Sequence, residues 1–296
     1  MGSIFFPEFF LKMKRSIFSS PIPTLVKILI FTTIIFSAAF ASEKRTFTSG
    51  DWNDPTIWSP VGVPTADDTV FILHDITNDI PIFVFVKNAD AECKELIIDT
   101  AEIGSTLEIS ESKILSVLGS VTVKGFCQFG TDGGTIKVAE DWLVTGVFDA
   151  GDVSTNNSST IIFNGTGDQY VDGSTFAYLI FQNNGGTVFL NGSISIKENL
   201  SIISGALDLK EYTADRATVG GTLFLANNAT LYAGGSFPAN FTTYSLATTS
   251  TVNYNSTGGF SQQVARQTYG NLILSGASAK TVQDTIVVVG NFTIDG

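Results

Sequence analysis

The chain has 296 residues, 44% of them hydrophobic, enough to bury a large core. Its apolar residues are Val, Ile, Phe and Tyr among abundant Thr and Gly, with no long Ala-, Glu-, Lys- and Leu-rich stretches, so the composition argues for an all-β fold and against a helical one. Sixteen basic residues against twenty-eight acidic ones give a formal net charge of −12. That charge repels phosphate backbones and anionic surfaces, which argues against nucleic acid as a partner.

In chain order, Lys12, Lys14 and Arg15 precede an apolar run over residues 28–40 that ends in Ala39-Phe40-Ala41. This is the basic, apolar, small-residue order of a secretory signal, with cleavage expected after Ala41. The run is shorter than the ~20 residues a membrane span needs, and Lys27, Pro21 and Pro23 block its extension. The mature chain is therefore read without a membrane span, and its location as secreted or on the outer cell surface.

Residues 42–68 are aromatic and turn-rich. From residue 70 short strands follow one another, each ended by Gly, Asn, Asp or Ser: 70–73, 82–86, 96–98, 106–109, 114–117, 121–123, 135–138, 142–144, 160–163, 178–181, 188–190 and 194–196, then 206–209, 222–225, 272–274 and 286–289. No helical periodicity of useful length appears after residue 42, which removes βαβ architectures. Strands this short, with little strict inside-outside alternation, predict a right-handed parallel β-helix or β-solenoid, with tandem β-sandwiches as the alternative.

An internal repeat supports the solenoid. Residues 159–202 are restated over 250–294: Thr160, Phe163, Asn164 and Gly167 answer to Thr251, Tyr254, Asn255 and Gly258, and Asn199, Leu200 and Ile202 to Asn291, Phe292 and Ile294. A fainter echo makes Leu96, Leu179 and Leu272 equivalent places in successive units. Each unit exceeds one coil of ~20 to 30 residues, so each is expected to hold several coils. The second copy stops where the first would continue into residues 205–209, so the repeats are expected to be truncated in mid-repeat. The expected organisation is a signal over 1–41, a cap and β domain over 42–130, and solenoid repeats over 131–296.

The block GDWNDPTIW at 50–58, followed by VPTADDTVFI at 63–72, resembles the opening of the eight-glycine extracellular domain found in secreted, repeat-rich surface proteins of Bacteroidetes-type bacteria. The later Gly-Asn-hydrophobic repeats are similar to those of the same proteins. The chain departs from the pattern at Ala66 and Asp67, where the family has a Gly before the Asp. The resemblance implies an extracellular, adhesive or carbohydrate-associated context and export by the type IX route. It also makes Thr69, Thr100 and Thr285, each after an Asp, candidate O-glycosylation acceptors.

Candidate site residues are few. Trp52 and Trp58 have the faces needed to stack on sugar rings, or else close the end of the core. Asp51, Asp54, Asp67 and Asp68 supply carboxylates for a calcium ion, or else organise turns through backbone N–H groups. Cys93 and Cys127 form a disulfide, which export permits, or remain buried thiols. His74 is the only histidine, so neither a zinc site nor a Ser-His-Asp arrangement has its usual partners. Glu140 and Asp141 adjoin Trp142, but no second carboxyl is identified for glycoside hydrolysis. Asn164, Asn191, Asn228 and Asn255 begin Asn-x-Ser/Thr triplets. The functional expectation is a secreted or surface repeat protein that contacts glycans or cell-surface components, without a catalytic centre or required cofactor. A non-catalytic N-terminal part of a polysaccharide-degrading enzyme and a purely structural spacer are the alternatives.

Overall fold

A computed structural model describes residues 42–73, 81–99, 105–130, 133–149 and 159–295. Ala41, His74 and Thr100 lie outside the described residues. The architecture is an all-β parallel solenoid of about nine turns. Tandem sandwiches are overturned by the pairing, which is parallel throughout except where Trp58–Ser59 runs antiparallel to Glu43–Thr46. A single 3-10 turn, Pro55–Ile57, is the one helical element among the described residues.

Most coils contribute a strand to each of three faces. The first face stacks Ala91–Cys93, Ile114–Val117, Thr135–Val138 and Thr160–Phe163, then the starts of Tyr178–Leu190 and Leu200–Asp208, then Gly220–Leu225 and Phe241–Leu246. The second runs from Glu43–Thr46 through Thr69–Leu73, Glu95–Asp99, Val121–Val123, Trp142–Val144 and Gln169–Val171. It continues through the ends of the two long strands to Thr230–Tyr232, Thr251–Tyr254, Asn271–Ser275 and Phe292–Asp295. The third stacks Gly50–Asp51 through Ala214–Arg216 in a separate eight-stranded sheet. Gln262–Val264 and Thr268–Tyr269 continue the winding and pair with Lys280–Val282 and Val287–Val288. Backbone groups of each strand are thus satisfied by the coils above and below.

Side chains alternate strictly between core and exterior: Thr69–Leu73, Thr135–Val138, Thr160–Phe163 and Thr251–Tyr254 all bury every second residue. The sequence hid this alternation for a physical reason. Outward residues are shielded by identical ladders on both sides, so they are half-buried and need not be strongly polar. Phe71, Ile97, Ile162 and Ile180 all occupy outward positions.

The expected boundary at residue 130 is absent from the strand pairing. Phe126–Gly130 pairs with both Ser105–Ile109 and Val147–Asp149, and Thr135–Val138 with both Ile114–Val117 and Thr160–Phe163. Residues 42–296 form one compact unit.

The repeat and the coil have different periods. Along the first face Ile161 pairs with Leu179, Leu179 with Leu200, Leu200 with Leu223 and Leu223 with Tyr244, a step of 18 to 23 residues. Thr251–Tyr254, the counterpart of Thr160–Phe163, comes next and stacks on the second face. One repeat is therefore four coils plus one face. Leu179 stands on the first face and Leu96 and Leu272 on the second, although all three are fully buried.

Candidate ligand-binding face

Trp52 and Trp58 are both 0% exposed, packed edge to face with centroids 5.1 Å apart, and Trp58 Nε1 donates to the Trp52 carbonyl at 2.9 Å. Neither presents a face to solvent, which corrects the expectation that they stack on sugars. Their large apolar area is worth more inside the coil than at its surface.

The four aspartates are not assembled around a common point. Asp51 accepts from the Asn53 N–H and from Asn88 Nδ2. Asp54 caps the 3-10 turn, accepting from the Thr56 N–H at 2.8 Å and its hydroxyl at 2.6 Å. Asp68 ties two segments together: Oδ1 accepts from Ser42 N and Oγ, and Oδ2 from Thr65 N and Oγ1. Burial alone would raise the Asp68 pKa, but these hydrogen bonds to the carboxylate bring it below the ordinary value. Asp67 is exposed. Among the described residues no group of three His, Cys, Asp or Glu side chains is placed to hold a metal.

Cys93 is a free, fully buried thiol on the first face, and burial pushes its pKa up. Cys127 belongs to a strand of the third face. Asp141, considered as an acid, accepts from the Tyr170 N–H at 2.8 Å and so pins one coil to the next. Trp142 is buried against Phe148, Phe163 and Phe176.

The outer side of the second face presents a different set of residues, none of which the sequence singled out. Strand register places Tyr170, Phe189, Asp208, Tyr232 and Asn253 in one row, each on a successive coil. Their inward neighbours Val171, Leu190, Leu207, Leu231 and Val252 are buried, which forces this row outward. Tyr170, 39% exposed, stacks on Phe189 with centroids 5.5 Å apart and planes 22° apart. Lys210 folds back over both rings, at 5.5 and 5.4 Å, and its Nζ donates to Asn191 Oδ1 at 2.9 Å. Asn191 is thereby a structural partner, whatever its triplet suggests.

Beside Asp208 the row meets a cleft of about 550 Å³ at the corner after the second face. Its lining includes Asp208, Lys210, Glu211, Asn255 and Gln262, with Phe260, 91% exposed, also bordering it.

No family model, curated protein or solved structure matches this chain. The row was not legible beforehand because each member comes from a different coil. The recurrence of an aromatic or polar residue beside a buried aliphatic one is visible in the sequence only once the register is known.

Proposed function

We propose that this is a non-enzymatic, secreted or cell-surface solenoid that binds an extended polysaccharide along the outer side of its second face. The observation that carries the reading is the outward Tyr170–Phe189 stack, Tyr170 exposed and Phe189 half-buried, with Tyr232 two coils further along the same row. Aromatic faces pair with the apolar faces of pyranose rings, and a row that repeats every ~4.8 Å along the solenoid suits a ligand with its own short repeat. Asp208 and Asn253, interleaved with the rings, supply acceptors for sugar hydroxyls. The secretory order of residues 12–41 and the resemblance to bacterial surface repeat proteins favour the same setting. The acidic charge of the chain favours neutral or cationic polymers over polyanions.

The test is retention of the purified chain on a panel of insoluble polysaccharides, comparing wild type with Tyr170→Ala/Phe189→Ala. Retention that falls about tenfold in the double variant, with an unchanged circular dichroism spectrum, supports the proposal. Retention on no polymer, or equal retention of both proteins, overturns it. Release of reducing sugar by the wild type would refute its non-enzymatic part.

A further inference from the structure

The two copies of the internal repeat each close a corner in the same way and then diverge. In the first, Gln169 is fully buried: Oε1 accepts from the Gly165 N–H, and Nε2 donates to the Val138 and Glu140 carbonyls of the preceding coil. In the second, Gln262 accepts from the Ser256 N–H and donates to the Ala233 and Gly235 carbonyls. The next coil of the first copy then inserts Asn183, whose Nδ2 donates to the Gly167 carbonyl and to Gln169 Oε1 while its Oδ1 accepts from the Gly185 and Gly186 N–H groups. In the second copy a shorter side chain, Ser278, makes the matching bond to the Gly258 carbonyl. The stretch between the Asn and the Gln is also two residues longer there: GTGD at 165–168 becomes STGGFS at 256–261.

The longer loop carries Phe260 into solvent beside the cleft. A benzyl group 91% exposed contributes nothing to folding through burial. Among the charged residues of the lining, the Lys210 ammonium is engaged on the row side by Asn191, Tyr170 and Phe189. Asp208 and Glu211 make no ion pair among the described residues, so the lining carries two carboxylates against the one ammonium of Lys210. An exposed ring beside two acceptor carboxylates is the chemistry that recognises a donor-rich, cationic sugar.

We infer that this cleft is a pocket for one amino-hexose unit, a branch or chain end of the polymer that lies along the row. The inference rests on the glycan-binding reading of the second face. It assigns the two parts different tasks: the row gives retention on any polymer of suitable shape, and the cleft selects an amino sugar over a neutral hexose and rejects a uronate.

The experiment is calorimetric titration of the full chain with trimers of glucosamine, glucose and galacturonate below neutral pH. The glucosamine trimer is expected to bind about tenfold more tightly than the glucose trimer, with the galacturonate trimer weakest. Glu211→Gln should lower that preference while leaving the glucose trimer unaffected, because Glu211 lines the cleft and is not part of the row. Phe260→Ala should weaken glucose and glucosamine trimers alike without changing retention on insoluble polymer. Equal affinity for the three trimers, or an unchanged Phe260→Ala, overturns the pocket. If instead wild type is not retained on polymer, yet trimer binding depends on Phe260, the row reading fails and the pocket stands.

Discussion

Gln169 and Gln262 are the same residue of the internal repeat set on different corners of the solenoid, and each closes its corner with the same three hydrogen bonds. A primary amide suits the place because it both accepts from its own turn and donates twice to the coil before it. Replacing Gln169 with Ala removes the partner of the Gly165 N–H and of the Glu140 carbonyl, while the Val138 carbonyl keeps the Asn164 N–H. The loss should be about 3 kcal/mol, read as a lowered urea midpoint. Gln169→Glu should also destabilise near neutrality, because a buried carboxylate would face two carbonyl oxygens, and it should recover part of the loss on acidification.

Tyr254 and Tyr269 form a closed buried network. The Tyr269 hydroxyl donates to the Ala265 carbonyl at 2.6 Å, the Ala265 N–H donates to the Tyr254 hydroxyl at 3.0 Å, and the two hydroxyls lie 2.8 Å apart. Tyr254 must therefore donate to Tyr269. Each single Tyr→Phe change should cost about 1 to 2 kcal/mol, and the double change less than the sum, as measured by a double-mutant cycle in urea. Burial pushes the Tyr254 phenol up to about 12 and raises Tyr269 as well. Because the folded values lie above the unfolded one, this contribution is complete below about pH 10 and is lost as pH rises through the folded values. Alkaline unfolding should be shallower in the double variant.

Asp68 has the opposite sign. Its folded pKa lies below the unfolded value, so its contribution is present above about pH 4 and disappears as pH falls through the folded value. Asp68→Asn should cost about 2 kcal/mol at neutral pH and much less at low pH, measured as thermal midpoints across an acid series.

Trp52, Trp58 and Trp142 are all fully buried. Their fluorescence should resist acrylamide quenching in the native protein and should not respond to saccharides that bind the row. Tyr170→Ala/Phe189→Ala should leave this fluorescence unchanged while reducing polymer retention. A saccharide-dependent tryptophan signal would instead place the ligand near Trp52 or Trp58.

Much of the fold was legible in the chain. Turn residues closing every short apolar run specified β structure, and the restated segment specified an array. The strand positions at 114–117, 121–123, 135–138, 142–144 and 160–163 coincide with those observed. The site was less legible because the residues that look chemical in the sequence were engaged elsewhere. Asp54, Asp68 and Asp141 are hydrogen-bonded to backbone N–H groups of turns and neighbouring coils, and Trp52 and Trp58 fill the core.

The sequence by itself determined that this is an all-β array with a repeat longer than one coil, since local turn chemistry and self-similarity are both written in contiguous residues. Only the tertiary structure decided the phase of that repeat, four coils plus one face, and with it which residues share an outer row. Phe189 and Tyr170 are 19 residues apart in the chain and stacked in space. Their meeting depends on how many residues each corner consumes. That number is set by bulges, loop lengths and buried amides such as Gln169, Asn183 and Gln262, not by the strands they join.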